Sequence, residues 1–252
     1  MASLQTTQLD VPVTVTANID GVDPTERILI GVKSGLAILY RKTGSYEVIS
    51  QFTEQQNDRL RSNDGASDAQ GRFWIGTMTD FGQGDFRPEG SLYRFDGKSS
   101  KEELLKNLVI PNSVGWSPDN QTMYFTHSQT RQVFAFDYSV STGAATNKRV
   151  FYLHDGPGEP DGFRVDVDGN IWHAVYGEYR VLKINTAGEV IGQVHLPTKN
   201  ITCVQFVGTE LIITTAADND ASSPETSRRY GGAVFRIDVG VEGLPLFDFK
   251  LC

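Results

Sequence analysis

Short runs in which apolar and polar residues alternate, each bounded by Asp, Asn, Gly or Pro, recur along most of the chain, and helical spacing is scarce. A period of two belongs to a strand with one face buried, so the pattern predicts an all-β protein. The runs also repeat. A turn followed by an apolar pair occurs at Ile28-Leu29, Phe73-Trp74, Met123-Tyr124, Ile171-Trp172 and Leu211-Ile212. Each pair is followed by another strand-like run, at 37–40, 91–96, 133–137, 180–184 and 233–238. Copies of about four strands recurring every roughly 40–50 residues predict a β-propeller.

Each copy opens with a further strand ahead of its apolar pair, at 12–15, 62–65, 111–114, 160–163 and 201–204. In a propeller this first strand lines the central channel. The copies align Val13, Asn63, Asn112, Asp161 and Thr202, so three consecutive blades are expected to aim an amide or carboxylate inward. A single Asn or Asp before Gly or Ser is ordinarily a turn former. Three in register suggest instead oxygen ligands converging on a hard divalent cation, calcium or magnesium, with zinc and manganese as further candidates.

Charge narrows the partners. The 252 residues carry 23 Lys and Arg against 31 Asp and Glu, a net charge of −8. Nucleic acid and anionic membranes call for a basic surface, so neither is expected, whereas a small neutral molecule is. The length and the 39% apolar content fit one propeller domain over residues 1–252. No apolar run approaches the ~18 residues of a membrane span, and the first residues lack the pattern of a signal peptide, so a cytoplasmic location is expected. Cys203 and Cys252 offer neither a disulfide framework nor a cysteine zinc site.

Other motifs fall away. There is no Gly-x-Ser-x-Gly elbow and no His-Glu-x-x-His pair. Single histidines read as structural, although His127 and His173 follow apolar pairs and are candidates to face the channel. Asp166-Val167-Asp168-Gly169 hints at a calcium loop, lacks its closing Glu, and reads as a hairpin turn. The stretch 82–90 reads as a solvated connection, with a lid as the alternative.

Four segments carry a family likeness. Arg61-Ser62-Asn63-Asp64-Gly65, Gly71-Arg72-Phe73-Trp74-Ile75-Gly76-Thr77-Met78, Pro111-Asn112-Ser113-Val114-Gly115-Trp116-Ser117 and Glu159-Pro160-Asp161-Gly162-Phe163 resemble successive blade motifs of the SMP-30/gluconolactonase/LRE-like family. The likeness runs from about Leu4 onward, and Ala135-Phe136-Asp137-Tyr138 and Tyr230-Gly231-Gly232 are most similar to fungal members. The resemblance implies a six-bladed propeller with one divalent cation, most often calcium, that hydrolyses sugar lactones to aldonic acids. Carried over position by position, it implies Asn112 and Asp161 as metal ligands and Asp161 also as general base. Asn63 would face metal and substrate, Arg61 and Asp64 would hold substrate oxygens, and an acidic residue near Asp80 would touch the sugar. Beside these stand the plainer readings of Arg61 as a solvated surface charge and Asp64 as a turn former.

The chain also departs from the pattern. Family members begin with a blade whose Gly-Glu-Gly-Pro-like motif supplies a further metal ligand; no such segment occurs here, and five complete copies are found rather than six. Either most of a first blade has been lost or the stretch is incomplete, with 4–9 as a remnant and 246–249 as another edge strand. A homodimer or a ring contracted to five blades is then expected, with a weakened metal site. The leading reading is a metal-dependent hydrolase of a sugar lactone or similar cyclic ester. Its alternatives are a catalytically impaired propeller that binds a small molecule, and a member recruited to non-hydrolytic chemistry in fungal secondary metabolism.

Overall fold

The computed structural model describes residues 6–53, 57–98 and 100–252. Alternating patches of sequence become strands, and consecutive strands pair antiparallel with their neighbours to give five successive sheets. The first contains β1 (Val13–Ala17), β2 (Arg27–Val32), β3 (Gly35–Tyr40) and β4 (Ser45–Gln51). The second contains β5 (Leu60–Ser67), β6 (Phe73–Thr79), β7 (Gly90–Asp96) and β8 (Ser100–Leu108). The third is β9 (Pro111–Trp116), β10 (Thr122–His127), β11 (Gln132–Tyr138) and β12 (Ala145–Leu153), and the fourth β13 (Glu159–Val165), β14 (Ile171–Tyr176), β15 (Arg180–Ile184) and β16 (Val190–His195). The fifth is β17 (Ile201–Val207), β18 (Glu210–Thr215) and β19 (Val234–Asp238), with the short helix α1 (Glu225–Tyr230) before its last strand. The fold class is therefore all-β, with the five-bladed arrangement of a β-propeller.

Packing divides the described residues into two units, one running to Pro111 and including Leu246–Cys252, the other Asn112–Pro245. In the first, Leu29, Ile38, Phe73, Ile75 and Phe95 of the first two sheets bury one core together with Phe249. The other face of the first sheet, with Ile30, Val32, Ala37 and Leu39, is covered by Leu9 and Val11. In the second unit, Val133, Phe163, Ile171 and Leu182 form one core, and Trp172, Val181, Val204, Leu211 and Ile213 another.

Buried aspartates brace the hairpins of the second and fourth sheets. Asp68 accepts from the Arg72 side chain at 2.7 Å and from the Trp74 indole at 3.0 Å. Asp166 accepts from the Trp172 indole at 2.9 Å and from the Asn170 amide. Both have no solvent exposure. The segment beginning at Asp166 is thus the expected hairpin turn, with Gly169 at a φ of +86°.

Two sequence expectations change. The fifth sheet has three strands among the described residues, because Gly240, Gly243 and Pro245 break the alternation after Asp238, and Gly243 instead bridges Asp166. Residues 246–249 form no edge strand: Phe249 makes one isolated parallel bridge, with Ile19, and its ring enters the core. Of the proposed remnant 4–9, Leu4 and Gln5 lie outside the described residues, and 6–9 contain no strand.

Candidate functional site

The first strands of four sheets share a feature that places the candidate residues. Pairing of β1 with β2 skips between Val13 and Thr16, and that of β5 with β6 skips between Ser62 and Gly65. Pairing of β13 with β14 skips between Pro160 and Phe163, and that of β17 with β18 between Ile201 and Cys203. Asn63 and Asp64 occupy one skip and Asp161 another. A bulge takes residues out of the ladder and re-aims their side chains. These residues are therefore bulged strand positions rather than turn formers. Glycine is needed beside them: a Cβ on Gly65 would lie 2.2 Å from the Trp74 carbonyl oxygen, and one on Gly162 2.5 Å from Cys203 Sγ.

In the first unit, β5 carries Arg61, Asn63 and Asp64. Asn63 donates its amide to the Pro111 carbonyl at 2.9 Å, and Asp64 accepts the Gly65 N–H at 2.7 Å. The Arg61 side chain is 15% exposed, so it is not a solvated surface charge. Its guanidinium lies 4.9 Å from the centre of the Phe81 ring and 3.8 Å from Asp80 Oδ1. Burial lowers its pKa, and Asp80 partly opposes the shift. Lys33, in the turn after β2, holds Asp80 Oδ2 at 2.6 Å. Lys33 has no counterpart in the repeats, and no pattern in the sequence singled it out. The connection from 82 onward is pinned at its ends, where Arg59 donates to both oxygens of Glu89 and to the Gln83 carbonyl.

In the second unit, Asn112 on β9 and Asp161 on β13 stand on neighbouring strands. The Phe163 N–H donates to Ser113 Oγ at 2.9 Å and ties the two strands beside both residues. Asn112 is buried; its oxygen accepts the Ser113 N–H at 3.0 Å and its amide donates to Ser128 Oγ at 3.1 Å. Asp161 is half-buried, and its charge raises the Tyr176 hydroxyl pKa, second to burial. Glu159, paired across with Tyr176, has its carboxyl pKa raised by burial, with Arg131 opposing. The approach to β13 is fixed by Glu178, which accepts the Gly158 N–H at 2.8 Å and two donors of Arg180. That brace was missed in the sequence.

The donor chemistry of Asn112 and Asp161 fits a hard cation: an amide oxygen retaining a second lone pair, and a carboxylate. Among the described residues no three His, Cys, Asp or Glu side chains gather as a metal site. His173 is fully enclosed, so it is a core residue, and His127 is nearly so. Burial pushes their pKa values down to about 3 and about 4 respectively.

Comparison with known proteins shows the family of the chain. The family model for the SMP-30/Gluconolactonase/LRE-like region matches residues 1–217. An uncharacterized protein of Sulfolobus acidocaldarius is 32% identical over 234 residues, covering 91% of this chain and 81% of its own length. The pentonolactonase XacC of Haloferax volcanii is 33% identical, covering 74% of this chain. L-arabinolactonase of Azospirillum brasilense is 34% identical, covering 77%. The match spans 65% and 64% of the lengths of these two lactonases. Among solved structures, a luciferin-regenerating enzyme superposes with a TM-score of 0.86 at 30% identity, over 97% of this chain and 83% of its own. The calcium-binding protein regucalcin of Agrobacterium tumefaciens superposes with a TM-score of 0.83 at 28% identity, over 97% of this chain and 81% of its own.

Proposed function

Because the chain belongs to the SMP-30/gluconolactonase/LRE-like family, we propose that it hydrolyses a sugar lactone or similar cyclic ester with the help of one divalent cation, calcium before zinc, magnesium or manganese. The observation that carries this reading is the repeated skip in the first-strand ladders, which releases Asn63, Asp64 and Asp161 from strand pairing. Two relatives named as lactonases support the substrate class, and the regucalcin described as calcium-binding supports the ion. A cytoplasmic protein of fungal type, folded as one domain, completes the proposal. No helix among the described residues is long and apolar enough to cross a membrane. A homodimer is the proposed assembly, and light scattering tests it by a mass of about twice the 27.8 kDa of one chain.

Roles are assigned residue by residue. Asn112 and Asp161 would hold the cation, which when bound polarises a carbonyl and acidifies a water. Asp161 takes a proton from the attacking water as its oxygen bonds to the lactone carbonyl carbon. The ring C–O bond then breaks, and the released oxygen takes up that proton, leaving a hydroxy acid. Arg61 and Asn63 donate to substrate oxygens and to the developing oxyanion, and Asp64 accepts from a sugar hydroxyl.

One observation favours a second reading, a propeller that binds a small molecule without turning it over: both ends of the Asn112 amide are engaged by the protein. A panel of sugar lactones followed by acid release, with each metal supplied in turn, separates the two. Turnover that falls ~10²-fold or more in Asp161→Asn, with folding unchanged, is expected of the hydrolase. Activity within a few-fold of the parent would remove Asp161 from the mechanism.

A further inference from the structure

Two arginines of β5 and its approach are held in opposite ways. Arg59 has its donors occupied, with Nε and one terminal nitrogen on Glu89 at 3.2 and 2.8 Å and the other on the Gln83 carbonyl at 2.8 Å. Arg61 makes a single hydrogen bond among the described residues, from Nε to the Ser62 carbonyl at 3.1 Å. Its terminal nitrogens make none, yet the side chain is 15% exposed. No protein group among the described residues takes those donors by a hydrogen bond, so they are open to oxygens supplied by solvent or a ligand.

The nearest carboxylate could close this vacancy and does not. Asp80 Oδ1 accepts the Phe81 N–H at 2.9 Å, and Oδ2 accepts the Lys33 ammonium at 2.6 Å. Lys33 is itself fixed by the Asp58 carbonyl at 2.9 Å. Held by Phe81 on one oxygen and by Lys33 on the other, Asp80 stays 3.8 Å from Arg61, beyond hydrogen-bonding reach. Two cations then face one carboxylate, leaving a local surplus of one positive charge in a chain of net charge −8. The Phe81 ring lies 4.9 Å from the guanidinium carbon, within cation–π range.

We propose that Lys33 is a positioning residue: by holding Asp80 it keeps the Arg61 guanidinium open for the oxygens of an incoming lactone and of the carboxylate formed when the ring opens. The substrate class named here rests on the hydrolase reading above. The competition between Lys33 and Arg61 for Asp80 rests on the side chains alone.

The test measures the two parts separately. Labelling of Arg61 by phenylglyoxal, read by mass spectrometry of its peptide with Arg59 as the paired reference, is followed in the parent chain, Lys33→Met and Lys33→Arg. Freed from Lys33, Asp80 turns to Arg61, and labelling slows about fivefold or more in Lys33→Met and recovers in Lys33→Arg. An unchanged rate in Lys33→Met overturns the role of Lys33 whether or not the chain is an enzyme. With D-glucono-δ-lactone as substrate, KM is expected to rise about tenfold in Lys33→Met while kcat stays within about threefold, with Lys33→Arg restoring KM. A fall in kcat at constant KM also overturns the positioning role. Absence of turnover by the parent chain overturns the hydrolase reading and leaves the labelling result to decide Lys33 by itself.

Discussion

Only one proton arrangement suits the ring of His173. Its Nδ1 lies 3.0 Å from the Ala174 carbonyl, which can only accept, so Nδ1 carries the hydrogen. With the ring kept neutral by its lowered pKa, Nε2 accepts from the Thr126 hydroxyl at 3.0 Å. Burial holds its pKa down to about 3, against an ordinary 6.5. A folded pKa below the unfolded one means that the unfolded chain binds the extra proton. Stability is therefore full above pH 6.5 and falls as the pH drops toward 3. His127, lowered to about 4 by burial and then by Lys148, adds in the same direction. Urea unfolding is expected to lose roughly 1 kcal/mol per pH unit from His173 over that window. His173→Gln should flatten the profile; an equally steep profile in that variant would contradict the assignment. At the candidate cation site, Asn112 and Asp161 bring a single formal charge. Calcium affinity is thus expected at ~10⁻⁴–10⁻³ M by titration calorimetry, the weak end for oxygen sites. Submicromolar binding would show that further carboxylates join. Asn63, Asn112 and Asp161 were legible because each recurs at one place in a repeat. Lys33 was not, since a lone lysine in a turn carries no periodic signal.

At the scale of the element, the repeats located the first strands but not their bulges. The sequence reads 62–65 and 160–163 as uninterrupted strands, with no sign of the skips that the structure shows within Leu60–Ser67 and Glu159–Val165. What marks the bulge is Gly65 or Gly162 following an acid, a pattern equally at home in a turn. Gly162→Ala places a methyl group 2.7 Å from the Cys203 backbone, which must shift, and Asp161 moves with it. Thermal unfolding and lactone turnover should both decline, stability by about 1–3 kcal/mol. Gly192→Ala is the control: its Cβ meets Lys183 Cβ at an ordinary 3.7 Å, and a change within about 0.5 kcal/mol is expected. Equal behaviour of the two variants would remove the close approach as the reason for glycine at 162. That the last sheet has three strands among the described residues was similarly illegible, because Val239, Val241 and Leu244 continue an apolar rhythm that only Gly240 and Gly243 interrupt.

Across the molecule, the segment preceding the first repeat acts as a cover. Leu9 and Val11 lie over Ile30, Val32, Ala37 and Leu39, and Tyr46 donates to Asp10 at 3.0 Å. The apolar face of the first sheet is thereby shielded by irregular chain. Leu9→Asp combined with Val11→Asp is expected to lower stability by about 2–3 kcal/mol and to increase binding of a hydrophobic dye. Unchanged unfolding would show that this segment contributes nothing.

The place of Phe249 has a consequence for the order in which the protein matures. A ribosome delivers the first two sheets early, yet the aromatic ring that meets Phe73 edge-on at 6.2 Å emerges only after the whole of Asn112–Pro245. Throughout translation of Asn112–Pro245 the earlier unit waits with an unfilled seat in its core. The later unit has no such debt to its future and can close as soon as its own residues are out. Nascent chains should therefore acquire protease resistance in the second unit before the first is complete, reversing the usual N-to-C sequence of domain maturation.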